Sequence, residues 1–186
     1  MNHKGTLNIE TKRLLLRRFE LSDALPMYKT WATDSDVTRF LSWLPHENVE
    51  ATKKIISSWI GQYNSTEYYN WAVTLKENKR IIGSISVVNQ HREHDVCEIG
   101  YCYGKEFWGK GYGTEALDGV IGFMIHKVGF NRVHAYHHSE NEASGKVMVK
   151  AGMKYEGRLR EYHKDNRGVY VDCKMYSILK KDLEIK

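Results

Sequence analysis

From Glu98 to Thr114 the chain runs Glu98-Ile99-Gly100-Tyr101-Cys102-Tyr103-Gly104-Lys105-Glu106-Phe107-Trp108-Gly109-Lys110-Gly111-Tyr112-Gly113-Thr114, a strand leading into a glycine-rich turn that opens a helix. Gly109, Gly111 and Gly113 admit left-handed or crowded backbone, so several N–H groups can converge on one point. Thr114 begins an apolar-periodic run through Leu117, Val120, Ile121, Met124, Ile125 and Val128, so the unpaired N–H groups and the dipole of that helix face the same point. The chemistry such a turn supports is capture of an anion, a phosphate above all. Two well-known phosphate loops fit it less well. A Walker loop has Ser or Thr after its Gly-Lys, whereas Gly111 follows Gly109-Lys110. A dinucleotide fingerprint has its third glycine where Thr114 stands, and an acidic residue closing the next strand, where His137 and His138 stand.

The turn resembles the acetyl-CoA signature of the GNAT superfamily of N-acetyltransferases, Gln/Arg-x-x-Gly-x-Gly/Ala, with Gly111 and Gly113 in the fourth and sixth positions and Trp108 in the first. With its tryptophan and the Thr114-Glu115-Ala116 that follows, it is similar to one branch, the ribosomal-protein alanine acetyltransferases of RimJ/RimL type and their small-molecule-modifying relatives. Three more stretches agree with that branch, in the expected order: Thr11 to Phe19, Asn141-Glu142-Ala143-Ser144 with Lys150-Ala151-Gly152-Met153, and Met175 to Leu179.

The resemblance implies an α+β (mixed α/β) GNAT-like fold, with a splayed, mixed and mostly antiparallel sheet of about seven strands flanked by about four helices. The sheet should open into a V after the strand carrying Glu98. The pantetheine arm of acetyl-CoA should lie in that opening, against the backbone of Tyr101, Cys102 and Tyr103. Its pyrophosphate should meet Trp108, Gly109, Lys110, Gly111, Tyr112, Gly113 and Thr114. Lys110 would add positive charge there, and Lys146 or Lys150 could reach the nucleotide end. Asn141 should contact the pantetheine side, and Ser144 should stand near the thioester sulfur.

Moving acetyl from a thioester to an amine asks little covalent help but much management of charge. The ammonium must lose a proton, the carbonyl oxygen becomes negative, and the thiolate must be stabilised as it leaves. By the resemblance Glu98 is the first candidate for the base and Glu161 the second, with His134 and His163 behind them. Glu98 also reads as a surface strand glutamate paired with a lysine. Asn141-x-x-Ser144 before an apolar-periodic run is equally a plain helix start. Many GNAT proteins carry a tyrosine acid seven residues after that asparagine, where this chain has Met148. Ser144 or water must therefore serve. Phe40, Trp43, Pro45, Tyr68, Tyr69 and Trp71 are candidate walls of an acceptor pocket, or ordinary core aromatics.

The elements that position these residues follow from periodicity. Leu14 to Phe19 reads as a strand, Ser22-Asp23 as the cap of a helix through Met27 and Trp31, and Asn48 as the cap of a helix from Val49 to Tyr63. Tyr69 to Leu75, Ile81 to Val88 and Val96 to Tyr103 read as an antiparallel meander. After the helix from Thr114 to Val128 come a strand from Arg132 to His138, a helix from Asn141 to about Lys150, and strands near Tyr155 to Tyr162 and Val169 to Leu179.

With 186 residues, 41% of them hydrophobic, and only two prolines, the chain reads as one domain over residues 1–186. It shows no hydrophobic signal core or long apolar span, so a cytoplasmic protein without membrane contact is expected. Three cysteines, an odd number, indicate free thiols. His91-x-x-His94-x-x-Cys97 lacks the spacing of a zinc ribbon, so no metal is expected. The net charge of +5 suits a polyanionic cosubstrate better than nucleic acid, because the basic residues are dispersed, and the Lys12-Arg13 and Arg17-Arg18 pairs read as solvated strand edges. The expected partners are acetyl-CoA and an amine acceptor, either a protein N-terminal alanine or serine or a small amine such as a polyamine, an amino acid or an aminoglycoside-like drug. A homodimer is the assembly to test. The rival classes are a CoA-binding regulatory module without turnover and a basic nucleic-acid-binding protein.

Overall fold

A computed structural model describes residues 1–183. Its strands are β1 (Ile9–Glu10), β2 (Leu14–Arg17), β3 (Asn70–Leu75), β4 (Ile81–His91), β5 (Val96–Tyr103), β6 (Arg132–His138), β7 (Lys154–Lys164) and β8 (Tyr170–Leu179). The α-helices are α1 (Ala24–Met27), α2 (Ser35–Thr38), α3 (Val49–Gln62), α4 (Tyr112–Gly122), α5 (Glu142–Lys150) and α6 (Lys180–Leu183), and π-helical turns extend α1 to Ala32 and α4 to Val128. The fold is the expected mixed α/β one. It exceeds the expected element count through the two-residue β1 and the four-residue α2 and α6, which are too short to show a period.

All eight strands form one sheet in the order β1-β2-β3-β4-β5-β6-β8-β7. Every neighbouring pair is antiparallel except β5 and β6. That parallel pair has only three register partners, Val96 with Arg132, Cys97 with Val133 and Glu98 with His134, and beyond Glu98 the two strands part. The expected V is therefore present, and Glu98 stands at its apex.

Helices cover both faces of the sheet, so β3 is buried along its whole length. Alternation sends Trp71, Val73 and Leu75 to a core with α4, while Ala72 joins Met27, Trp31 and Ile56 beneath α1 and α3. Asn48 caps α3, its Oδ1 accepting the Ala51 N–H at 2.9 Å. The first helical segment begins a turn earlier than expected: the Asp23 carboxylate accepts the Glu20 N–H at 2.8 Å and also two Arg17 N–H groups at 2.7 and 2.8 Å. The paired arginines are thus not free solvated edges. Arg17 is committed to Asp23, and Arg18 Nε donates to the Thr6 carbonyl at 2.9 Å. Among the described residues no helix is long and apolar enough to cross a membrane.

Candidate active site

The turn after β5 is built as an anion cradle. Gly109 and Gly111 take left-handed φ values of 72° and 79°, which favour glycine. The first helical hydrogen bond of α4 runs from Glu115 N to Gly111 O at 3.1 Å, and among the described residues the N–H groups of Gly109 through Thr114 find no acceptor. Gly113 is helical and matters by closeness instead, because a Cβ there would stand 3.2 Å from the Tyr103 ring and 3.5 Å from Val147. Arg13, read from the sequence with Lys12 as a solvated strand edge, instead braces this turn: Nε bonds Glu115 Oε2 at 2.6 Å, Nη1 donates to the Lys110 carbonyl at 3.0 Å, and the guanidinium lies 4.4 Å from the Tyr112 ring centre. Lys110 is exposed, its Nζ 5.7 Å from the Phe107 ring centre.

Below the turn, the free edge of β5 faces the V. Gly104 N–H bonds Ile82 O on β4, so by alternation the main-chain groups of Cys102 and Gly100 also point to β4, while those of Tyr103, Tyr101 and Ile99 point into the opening. Cys102 therefore offers the opening only its side chain, a correction to the expected backbone contact. Tyr103 O is already engaged, since the exposed Trp108 donates its indole N–H to it at 2.8 Å. Tyr101 is the residue of the three whose main chain stays open.

Across the V, Asn141 caps α5, its Oδ1 accepting Ser144 N–H at 3.2 Å. The side chain of Tyr101 spans the opening, its hydroxyl 2.9 Å from Ser144 Oγ and 3.1 Å from Ser144 O. Burial pushes the Tyr101 phenol well above its usual range, so it stays protonated at neutral pH. Met148 is buried and apolar; the nearby phenol comes from β5 instead.

Glu98, Tyr101, Asn141 and Ser144 all line one cavity of about 980 Å³ that continues beneath α1, α3 and the segment from Phe40 to His46. Glu98 is buried, not a surface residue, and its Oε2 lies 3.3 Å from His134 Nε2, with no lysine paired to it among the described residues. Burial first, and then the charge of Glu98, raise the phenols of Tyr136 (to about 12) and Tyr162, which line the same cavity. Glu161 does not join them. It sits exposed at φ 49° in an irregular stretch of β7, its N–H donating to Asp172 Oδ1 at 2.8 Å, while its neighbours Tyr162 and His163 line the cavity. The local bulge turns the side chains out of simple alternation there.

Of the expected acceptor walls, Phe40, Trp43 and Tyr68 line the cavity. Tyr69 and Trp71 do not: they stack 5.9 Å apart and pack on Phe123 in the other core. Pro45 is also absent from the lining, whereas Trp31 and Trp59, which the sequence placed only within the first two helices, are present. Lys146 and Lys150 line a separate cavity of about 310 Å³ with Lys174 and Tyr176. Among the described residues no three metal-type side chains stand together, and Cys97, Cys102 and Cys173 are unpaired.

Residues 13–154 match the family model described as acetyltransferase (GNAT) domain. The chain is 32% identical over 177 residues to an N-acetyltransferase named p20 of Bacillus licheniformis, covering 92% of this chain and 96% of that one. A GNAT-family acetyltransferase structure from Bacillus anthracis superposes with a TM-score of 0.82 at 26% identity, over 94% of this chain and 99% of that one. The microcin C7 self-immunity acetyltransferase MccE, solved with acetyl-CoA and AMP, shares the fold with a TM-score of 0.78 at 22% identity, over 90% and 93% of the two chains.

Proposed function

The chain belongs to the GNAT family of N-acetyltransferases, and from that membership we propose that it transfers acetyl from acetyl-CoA to a primary amine bound in the cavity below the splayed sheet, by direct attack without an acyl-enzyme. The observation that carries the reading is the coincidence, along one opening, of unpaired N–H groups at the start of α4, a free strand edge at Tyr101 and a buried carboxylate at Glu98.

These residues fit acetyl-CoA. Gly109 through Thr114, with Lys110 beside them, would hold the pyrophosphate; Tyr101 and Asn141 would hold the pantetheine arm. When bound, acetyl-CoA supplies the activated acyl group: a C–N bond forms as the C–S bond breaks, and of the two protons the ammonium loses, one ends on the thiol and one in solvent. Glu98 receives the ammonium proton at Oε1 or Oε2, held in place by His134. Ser144 Oγ, oriented by the Tyr101 hydroxyl, offers a hydrogen bond to the departing sulfur. The similarity of Trp108 to Ala116 to the RimJ/RimL branch supports a protein N-terminal alanine or serine as one acceptor class, beside small amines. Release of free thiol from acetyl-CoA on addition of a panel of amines tests the assignment. CoA binding without thiol release for any amine would reduce the protein to a binding module.

A further inference from the structure

The wall of the acceptor half of the cavity discriminates among amines, an argument that rests on the acetyltransferase reading above. Among the described residues Glu98 is the one carboxylate that lines the cavity, and no lysine or arginine lines it. The remaining wall carries aromatic rings, among them Trp31, Phe40, Trp43, Trp59, Tyr68 and Tyr136, interspersed with uncharged polar side chains such as Asn70, Ser84, Ser86 and Asn89. We propose that the acceptor is a singly charged primary amine with an apolar, aromatic body: its ammonium meets Glu98 and the ring faces, and its body fills the space between α1, α3 and the 40–46 segment.

The rejected classes follow from what the wall lacks. A polyamine or aminoglycoside would bring second and third ammonium groups out of water with no further carboxylate to receive them. Ring faces attract one cation well but cannot neutralise several. A free amino acid would bring a carboxylate into a cavity that holds Glu98 and offers no fixed cation. Of the four histidines on the wall, burial lowers the pKa of His46 and His137, His138 Nδ1 accepts the Glu140 N–H at 3.1 Å, and His163 Nδ1 faces the Tyr136 hydroxyl at 3.5 Å.

The roof over this space favours a compact acceptor over a peptide. Asn166, in the turn between β7 and β8, donates from Nδ2 to the Thr38 carbonyl at 2.9 Å and the Trp43 carbonyl at 3.3 Å. Phe40 packs on His138 with ring centres 5.0 Å apart, and His46 Nδ1 lies 2.8 Å from Thr52 Oγ1. A peptide would need these ties released to let its chain leave. The fully buried Trp31 indole N–H has no acceptor among the described residues, so the wall also carries a donor for one uncharged oxygen on the body.

The test compares para-methoxyphenethylamine with spermidine, kanamycin, phenylalanine and an Ala-initiated tripeptide. It reads thiol release with acetyl-CoA and, separately, tryptophan fluorescence on titrating each amine into the protein alone. The expected result is a kcat/KM for the arylalkylamine about tenfold or more above the others, with fluorescence quenching by that amine at the lowest concentration. Trp43→Ala should lose about tenfold in kcat/KM for it and Trp43→Phe should recover most of that loss, with acetyl-CoA affinity by calorimetry unchanged in both. Acetyl-CoA binding together with faster turnover of spermidine, kanamycin, phenylalanine or the tripeptide would overturn this acceptor class and leave the acetyltransferase reading standing. Absence of both acetyl-CoA binding and thiol release would instead overturn that reading.

Discussion

Replacing Gly111 by alanine isolates what the backbone contributes to the anion cradle. Gly111 sits at φ 79°, ψ 3° as the cap of α4, and a Cβ there would lie 3.4 Å from Arg13 Nη2, an ordinary contact with the end of a flexible side chain. The cost is therefore conformational, about 1–2 kcal/mol for holding an L-residue in the left-handed region. If the turn keeps its shape, that cost appears as stability. At about 2–4 °C per kcal/mol for a chain of this size, Tm falls by roughly 2–8 °C. If the turn instead relaxes to negative φ, Tm holds, and the same 1–2 kcal/mol reappears on binding as an acetyl-CoA affinity weaker by roughly 5–30-fold. Scanning and titration calorimetry on one variant must together recover the total. Gly61→Ala is the control, since Gly61 lies in exposed α3 at ordinary φ with nothing within 4 Å of a new Cβ, and the change should raise Tm. Unchanged Tm together with unchanged affinity in Gly111→Ala would refute the placement of the pyrophosphate at this turn.

Glu98→Gln should lower turnover by roughly 10²–10⁴, a loss that shrinks as pH rises and the free amine becomes neutral, whereas the exposed Glu161→Gln should leave the pH–rate profile in place; the reverse pattern would move the base to β7. Replacing Cys97, Cys102 and Cys173 together by alanine or serine should keep turnover within about tenfold, because burial raises all three thiols, Cys102 and Cys173 to about 11, and a protonated thiol is a poor nucleophile. An acetyl-cysteine adduct detected by mass spectrometry would contradict it. Burial lowers the pKa of His46, so on acidification the unfolded chain takes up the proton first and stability falls as pH drops through the ordinary histidine range near 6.5; His46→Gln should make the decline of Tm between neutral and acidic pH shallower. A steeper decline would show that the imidazole is better charged than neutral in the fold.

The glycine turn, the Asn48 and Asn141 caps and the strand from Arg132 to His138 were legible because each carries a local signal: a φ that favours glycine, a side-chain oxygen before an apolar run, or a short β-rich stretch. The acceptor wall was legible only in part. β3 is buried on both faces, so nothing local says that Tyr68 turns to the cavity while Tyr69 and Trp71 turn to the core with Phe123. Trp31 and Trp59 were placed only within the first two helices, and the tertiary arrangement alone brings them to the cavity. Arg13 was hidden for a different reason, since its partners lie about a hundred positions away at Lys110 and Glu115. Glu161 was misplaced because a left-handed residue and a bulge break the alternation that places a strand side chain.

The bridge from Tyr101 to Ser144 gives the wedge a property that a continuous sheet lacks. Three residue pairs hinge β5 to β6 at the apex, and past them a side-chain contact ties the two flanks. Widening the mouth there breaks no ladder and sacrifices about one neutral hydrogen bond, roughly 0.5–1.5 kcal/mol net, or a few times thermal energy at most. At that cost, states with a wider mouth are populated at roughly 7–30% without any unfolding. A long, thin ligand can be laid in sideways along the flank of β5 instead of being threaded end-on, and it can leave by the same route. The hydroxyl pair ties the mouth on the cofactor side while Asn166 and the Phe40–His138 contact tie the acceptor side, so breathing of the wedge along β5 and retention of a ligand there are coupled through Tyr101 and Ser144.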